Sequence, residues 1–296
     1  DLAEVKAGKE SNEQEKDNIQ EIHDALVFGV KDYFGKLGFK KAILGLSGGI
    51  DSALTAVIAT RALGSDNVRV LLMPSQFSSG HSIDDAVQLA KNLGIQYDII
   101  EIKDIYDSYM DKLDTHFDGR PFDVAEENIQ ARIRGALLMA MSNKFGHILL
   151  NTSNKSEMAV GYGTLYGDLA GGLSVLGDVY KTQVFSLAER INRDEEIIPN
   201  NIITKPPSAE LRPNQKDADS LPDYGILDEI LFQYIEERKS PKDIIARGYE
   251  EKLVRRILRL VNMNEFKRHQ TAPVLRVSSK AFGMGRRMPI VGKYLS

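Results

Sequence analysis

Between residues 42 and 151 the chain alternates short apolar runs with helix-length amphipathic segments, and this alternation restricts the fold more than any other feature. Residues 42–46, 68–73, 96–100 and 147–151 are too short for helices and predict strands. Between them, residues 52–63 predict a helix closed by Gly64, and an S-x-x-D start at Ser82 opens a helix that stops at Gly94. Residues 123–143 predict a longer helix. Ahead of the first strand, Ile22, Leu26, Val30, Phe34 and Leu37 recur at helical spacing, predicting a helix from residue 19 to Gly38. Strands joined through helices pair in parallel, so the expected fold class is α/β, a doubly wound parallel sheet. Such a sheet takes its ligands at the carboxyl ends of its strands.

The pattern changes after Tyr180. Residues 180–192, a capped and proline-led start at Ser240-Pro241-Lys242-Asp243, and residues 250–267 predict helices. Residues 199–222 form a long polar, proline-containing segment, a length that indicates function or mobility. Residues 1–18 read as a polar arm or linker, and 19–296 as one domain with a helical C-terminal tail.

Composition removes whole classes of function. A formal net charge of −4 argues against a general nucleic-acid binder, although local basic residues can still hold a phosphate. The 296 residues contain no cysteine, which excludes disulfides, thiolate–zinc sites and cysteine nucleophiles within them. His23, His81, His116, His147 and His269 lack metal-ligand spacing, so no zinc is expected. No apolar run reaches the ~20 residues that span a bilayer, and residues 1–18 lack a signal-peptide core. The expectation is a cytoplasmic protein without membrane or nucleic-acid partners.

Chemistry concentrates in Gly45-Leu46-Ser47-Gly48-Gly49-Ile50-Asp51-Ser52, where the first strand becomes a helix. Adjacent glycines allow backbone N–H groups to close on a ligand, and the helix start adds positive partial charge, so the loop suits a phosphate. The hydroxyls of Ser47 and Ser52 can donate to phosphate oxygens. Asp51 would repel a bare phosphate, which points to a bridging Mg²⁺. No lysine follows the second glycine, so this is not a Walker A loop.

The octet resembles the pyrophosphate loop of N-type ATP pyrophosphatases. With Asn151-Thr152-Ser153-Asn154-Lys155-Ser156-Glu157, the run from Gly161 to Asp168, Arg212-Pro213-Asn214-Gln215, Ser220-Leu221-Pro222-Asp223-Tyr224 and Phe266-Lys267-Arg268, the chain from Ile19 to Tyr294 resembles the NAD synthetase family. The likeness is to the synthetase domain of its glutamine-dependent form. It implies an adenine nucleotide alpha hydrolase-like fold and ATP-dependent amidation of deamido-NAD through an NAD-adenylate, with ATP and Mg²⁺. It further implies that Gly45 to Ser52, Thr152, Lys181 and Ser208 contact ATP, with Ser208 standing where many relatives have Thr. Asp51 and Glu157 would be the Mg²⁺ ligands, and Asp51, Glu157 and Lys181 the catalytic set. Asn128, Arg132, Arg134, Glu157, Asp168 and Lys267 would hold the dinucleotide, with the register open between Arg132 and Arg134. His269 replaces a more usual Arg. No residue stands out as a general base.

Two other readings share the loop. A tRNA-modifying ATP pyrophosphatase needs a basic surface, and its thiolating members need cysteines; both are missing here. A non-catalytic nucleotide sensor need not keep both Asp51 and Glu157. The resemblance also implies self-association, at least a homodimer. Residues 123–143 place Ile129, Ile133, Ala136, Leu137 and Ala140 on one face, with Leu138, Met139 and Met141 beyond it. With no cysteine and about 40 residues ahead of the loop, free ammonia is the expected nitrogen donor, and an N-terminal glutaminase domain is expected in a longer protein.

Overall fold

The computed structural model describes residues 2–213 and 215–291, with side chains from residue 18 onward. Asn214 and Tyr294, both included in the sequence motifs, lie outside the described residues. The elements run α1 (Leu2–Leu37), β1 (Ala42–Gly45), α2 (Ile50–Leu63), β2 (Val68–Leu72), α3 (Gly80–Leu93), β3 (Gln96–Ile99), α4 (Lys103–Phe117), α5 (Val124–Phe145) and β4 (Ile148–Asn151). They continue with α6 (Lys155–Val160), β5 (Leu173–Ser174), α7 (Lys181–Ile191), α8 (Asn200–Thr204), α9 (Tyr224–Ile235), α10 (Pro241–Ile245), α11 (Glu251–Met263) and α12 (Glu265–Arg268).

All strand pairs are parallel, in the order β3-β2-β1-β4-β5. Successive side chains in a strand point to opposite faces, and the two helical layers take them up alternately. Ala42, Leu44, Val68, Val70 and Leu72 pack with α1, α2, α3 and α7 on one face, and Ile43, Leu71 and Leu149 pack with α4 and α5 on the other. Helix α2 is buried from Ile50 through Ala59 because α1 and α7 cover the side the sheet does not.

The expected doubly wound sheet is present, with differences in detail. From Leu2 onward the segment read as a polar arm belongs to the backbone of α1, consistent with the helix propensity of its Glu, Lys, Gln and Ala residues. Strand β5 is two residues long, too short to leave an alternation, and it follows Gly171-Gly172. Those glycines lie against β4, and the Gly172 N–H donates to the Leu149 carbonyl at 2.7 Å. The helices of the C-terminal part pack together, α6, α9, α10 and α11 enclosing an apolar core of their own around Leu227, Leu231, Val254 and Leu258. On α5, Ile129, Ile133, Leu137, Leu138 and Met141 pack under the sheet, leaving Val124, Ala136, Met139 and Ala140 outside. The apolar excess read from that helix is therefore smaller than expected.

Leu54 has no exposed surface and sits in the middle of α2, between sheet and outer helices. Leu54→Ala should lower the unfolding free energy by about 2–5 kcal/mol, measured by urea denaturation; a loss below about 1 kcal/mol would contradict the close packing of this layer.

Candidate functional site

From β1 the sheet extends through β2 and β3 to one edge and through β4 and β5 to the other. The chain thus changes sides between β1 and β4, and their diverging connections open a crevice at the carboxyl ends. A cavity of about 310 Å³ fills it. Its floor is the β1–α2 loop, one wall is the β4–α6 connection with the start of α7, and the opposite wall is α5. Residues 205–211 fold across from the α3 side.

The loop takes its shape from glycine and serine. Gly48 has φ +79°, and a Cβ there would stand 2.3 Å from the Ser82 carbonyl oxygen, so both the backbone conformation and the approach of α3 require glycine. The Ser47 N–H donates to Ser52 Oγ at 3.2 Å, and the Ser52 hydroxyl donates to the Gly49 carbonyl at 2.9 Å. No side chain caps α2 at Gly49, which leaves its first-turn N–H groups to an anion.

Three charged side chains from three elements meet beside this loop. Lys181 Nζ lies 2.5 Å from Asp51 Oδ2 and 3.4 Å from Glu157 Oε1. Asn154 joins them, its Nδ2 donating to Asp51 Oδ1 at 2.9 Å while its Oδ1 caps α6 by accepting the Glu157 N–H at 2.9 Å. Burial raises the Glu157 carboxyl above the ordinary carboxylate range, and the Asp51 charge adds to this while Lys181 opposes it. Burial works against the Lys181 ammonium, but the charges of Asp51 and Glu157 and the bond to Asp51 outweigh it and hold the ammonium above its ordinary range. Among the described residues no three His, Asp or Glu side chains gather as a metal site. Two carboxylates meeting at one cation position still fit Mg²⁺, which is commonly held by one or two carboxylates together with substrate phosphates.

Of the other residues singled out from sequence, Gly45, Leu46, Ser47, Gly49, Ile50, Ser52, Thr152, Ser208, Arg134 and Asp168 line the same cavity. Arg134 Nε donates to the Met73 carbonyl at 3.0 Å, and burial pushes its guanidinium down to about 10 against the nearby Glu210 and Asp168 charges. Asp168 opens onto the cavity, yet its enclosure by protein raises it to about 6 despite the Thr164 N–H, Lys267 and Arg134. Gly48, Asn128, Arg132 and Lys267 are not on the cavity surface. Arg132 is exposed and donates to the Leu165 carbonyl at 3.3 Å, whereas Arg134 lines the cavity. Asn128 accepts from the Thr164 hydroxyl at 2.6 Å, and Lys267 Nζ donates to the Gly161 and Gly163 carbonyls at 2.8 Å each. Both brace the 161–168 turn behind the wall.

Sequence reading gave no role to Asn154, Lys205, Glu210 or Asp217. Lys205 and Glu210 meet at Ser82, with Lys205 Nζ 3.0 Å from the hydroxyl and Glu210 Oε1 accepting it at 2.7 Å. Asp217 accepts the Tyr162 and Tyr224 hydroxyls at 3.2 and 2.8 Å. A Glu in a polar loop carries no local signal of where it will fold. Asn154 did have one, as an Asn three residues before a Glu at a helix start.

Comparison with known proteins places this geometry. Residues 22–271 match the NAD synthase family. A glutamine-dependent NAD(+) synthetase of Synechocystis sp. is 57% identical over 273 residues, 92% of this chain and 49% of that protein. The structure of glutamine-dependent NAD+ synthetase from Acinetobacter baumannii in complex with ADP aligns with TM-score 0.62 and 47% identity, over 91% of this chain and 49% of that one. An NH3-dependent NAD synthetase from Campylobacter jejuni, in complex with nitrate, aligns with TM-score 0.68 and 31% identity over 84% of this chain and 95% of that one. The chain spans about half the length of the curated relatives it matches.

Gly48→Ala should destabilise the protein by more than about 1 kcal/mol, because alanine meets both the left-handed conformation and the Ser82 carbonyl. It should also weaken ATP binding. Thermal unfolding and calorimetry with ATP check both, and wild-type behaviour would show that the loop does not need glycine at this position.

Proposed function

The chain belongs to the NAD synthase family, and on that premise we propose that it amidates deamido-NAD to NAD at the expense of ATP. One observation carries the reading: Asp51, Glu157 and Lys181 converge beside a phosphate-suited loop at the crevice of the sheet. In the first step an oxygen of the nicotinate carboxylate attacks the α-phosphorus of ATP, forming the NAD-adenylate as pyrophosphate leaves. In the second, ammonia attacks the acyl carbon and AMP leaves with the bonding pair of the broken C–O bond.

The Gly45–Ser52 backbone and the α2 start cradle the departing pyrophosphate, with Thr152 and Ser208 as further ATP contacts. Asp51 and Glu157 would hold Mg²⁺, which would supply neutralisation of phosphate charge. Lys181 turns its ammonium to the same charge. The apolar walls at Leu72, Met73 and Leu138 suit a flat base, and Arg134 and Asp168 face the dinucleotide. Asp168 lines the cavity with its carboxyl raised to about 6 by burial, so it loses its charge as pH falls through that value. The ADP complex of the Acinetobacter relative supports the nucleotide assignment.

Free ammonia serves as donor for these residues, since they contain no cysteine to release it from glutamine. In a longer protein an N-terminal glutaminase domain would supply it, as the name and doubled length of the relatives suggest. A cytoplasmic location belongs to the same reading; among the described residues no helix is long and apolar enough to cross a membrane.

The protein with ATP, Mg²⁺, ammonium and deamido-NAD should form NAD and AMP, with glutamine unable to replace ammonium and the rate falling as pH drops through about 6. Asp51→Ala and Glu157→Ala should each lower pyrophosphate release at least about 100-fold with the fold intact. No NAD from the wild type, or near-normal release by both variants, overturns the reading.

We also propose a homodimer through the outer face of α5, where Val124 and Met139 are exposed beside Ala136 and Ala140, flanked by Phe122 and Phe145. Sedimentation at micromolar concentration should give a dimer mass, and Met139→Glu should shift it toward monomer; a wild-type monomer throughout rules the interface out.

A further inference from the structure

Lys181 and Glu157 each stand in the first turn of a helix, α7 and α6, so their separation depends on how these two helix starts are joined. The junction lies behind the cavity. The Ser156 Oγ accepts the Lys181 N–H at 2.9 Å and donates its own proton to Asp228 Oδ1 at 2.5 Å. The other oxygen, Oδ2, accepts the Thr182 N–H at 2.9 Å. Asp228 therefore supplies, directly and through Ser156, the acceptors that the start of α7 lacks, since Tyr180 at its N-cap offers none from its side chain. Ser156 is fully buried and Asp228 is 5% exposed, and neither lines the cavity. A buried carboxylate is costly unless its hydrogen bonds are complete, and here they run to the Ser156 side chain of α6 and to the first-turn backbone of α7. Burial raises the Asp228 carboxyl, while the Ser156 and Thr182 donors hold it down.

We propose that Asp228 is a positioning residue for the reaction: from α9 it clamps the first turn of α6 to the first turn of α7 and so sets the Lys181 ammonium against Asp51 and Glu157, without touching nucleotide. The claim about the reaction rests on the proposed NAD synthesis; the claim about the clamp rests on geometry alone.

A separate buried network keeps the fold in place without it. Lys155 Nζ pairs with Asp178 at 2.9 Å and Glu236 at 2.8 Å, and the Lys155 N–H donates to the Val179 carbonyl at 2.9 Å. These contacts tie α6 to the turn before α7, so loss of Asp228 frees the first turn of α7 rather than unfolding the protein.

Asp228→Ala, Asp228→Asn and Ser156→Ala test this. Asp228→Ala should lower kcat about 10- to 100-fold, the range for groups that orient others, with the KM for deamido-NAD nearly unchanged. Asp228→Asn should recover most of the rate, because its amide oxygen can accept from Thr182 and its NH₂ can donate to Ser156. Ser156→Ala should show a smaller loss in the same direction. In the Lys181→Ala background, adding Asp228→Ala should cost little more, since the group it positions is gone. Crystal structures of wild type and Asp228→Ala should show Lys181 Nζ moved out of hydrogen-bond reach of Asp51. If Lys181 keeps its place in the variant, or if the double variant loses the full product of both single losses, the positioning role is wrong. A wild type that makes no NAD refutes the proposed reaction instead, and the crystal comparison still decides the clamp.

Discussion

The Lys181 ammonium, 2% exposed and held between Asp51 and Glu157, is the contact on which the arrangement of the site depends. Each partner comes from the start of a different helix, α7, α2 and α6, and each helix follows a different part of the sheet. Burial shifts the Glu157 carboxyl upward and the Asp51 charge adds to it, and a cation between the two carboxylates is what makes the approach tolerable. The three helix starts cannot drift apart without leaving a buried charge uncompensated. On the proposed reading the two carboxylates would hold a metal ion, and the Lys181 ammonium would face the phosphate charge.

Behind that contact several buried polar groups bond to backbone and side chains of neighbouring turns. Asp178 accepts the N–H groups of Val277 and Ser278 and the Ser278 hydroxyl, Asp228 accepts from Thr182 and Ser156, and Asn151 Nδ2 donates to the Asp168 carbonyl. Each bond fixes a turn that carries a cavity residue. The helical layer of α9 to α11 accordingly does more than complete the core, since it carries Asp228 and Glu236 to the rear of the site. Rigidity of this kind is what positioning chemistry requires, where small displacements of charged groups cost large factors in rate.

The front of the cavity is built differently. Residues 205–211 cross it with few apolar contacts, and their attachment is polar: Glu210 accepts the Ser79 and Ser82 hydroxyls, and Gln130 donates to the Leu211 carbonyl at 2.8 Å. Glu210 sits at the start of α3, where an acidic group is favoured by the helix dipole, and its φ is +48°. The rear wall is thus joined through buried charges and the front wall through polar bonds to Ser82 and Gln130.

The alternation of strands and helices, the phosphate loop and the carboxylates Asp51 and Glu157 were legible in the sequence because each is a local pattern: a period, a glycine pair, an acid after a strand. Parallel pairing followed from the connection lengths, whereas the neighbouring of β1 and β4 is a finding of the fold. Residues whose meaning lies in distance along the chain were not legible. Asp228 and Lys155 read as a helix acid and a helix-start lysine until the fold brings them to buried partners 46 to 81 residues away. Arg132 and Arg134 are equivalent in sequence, and only the rotation of α5 against the sheet sends one to solvent and the other into the cavity. The face of α5 that looked free for a partner is largely spent on the sheet, since hydrophobic periodicity reveals a buried face without revealing what buries it. Local chemistry and periodicity thus determined the elements and the loop, while tertiary packing alone decided which charges face one another, because that depends on helix rotation and on contacts between distant segments.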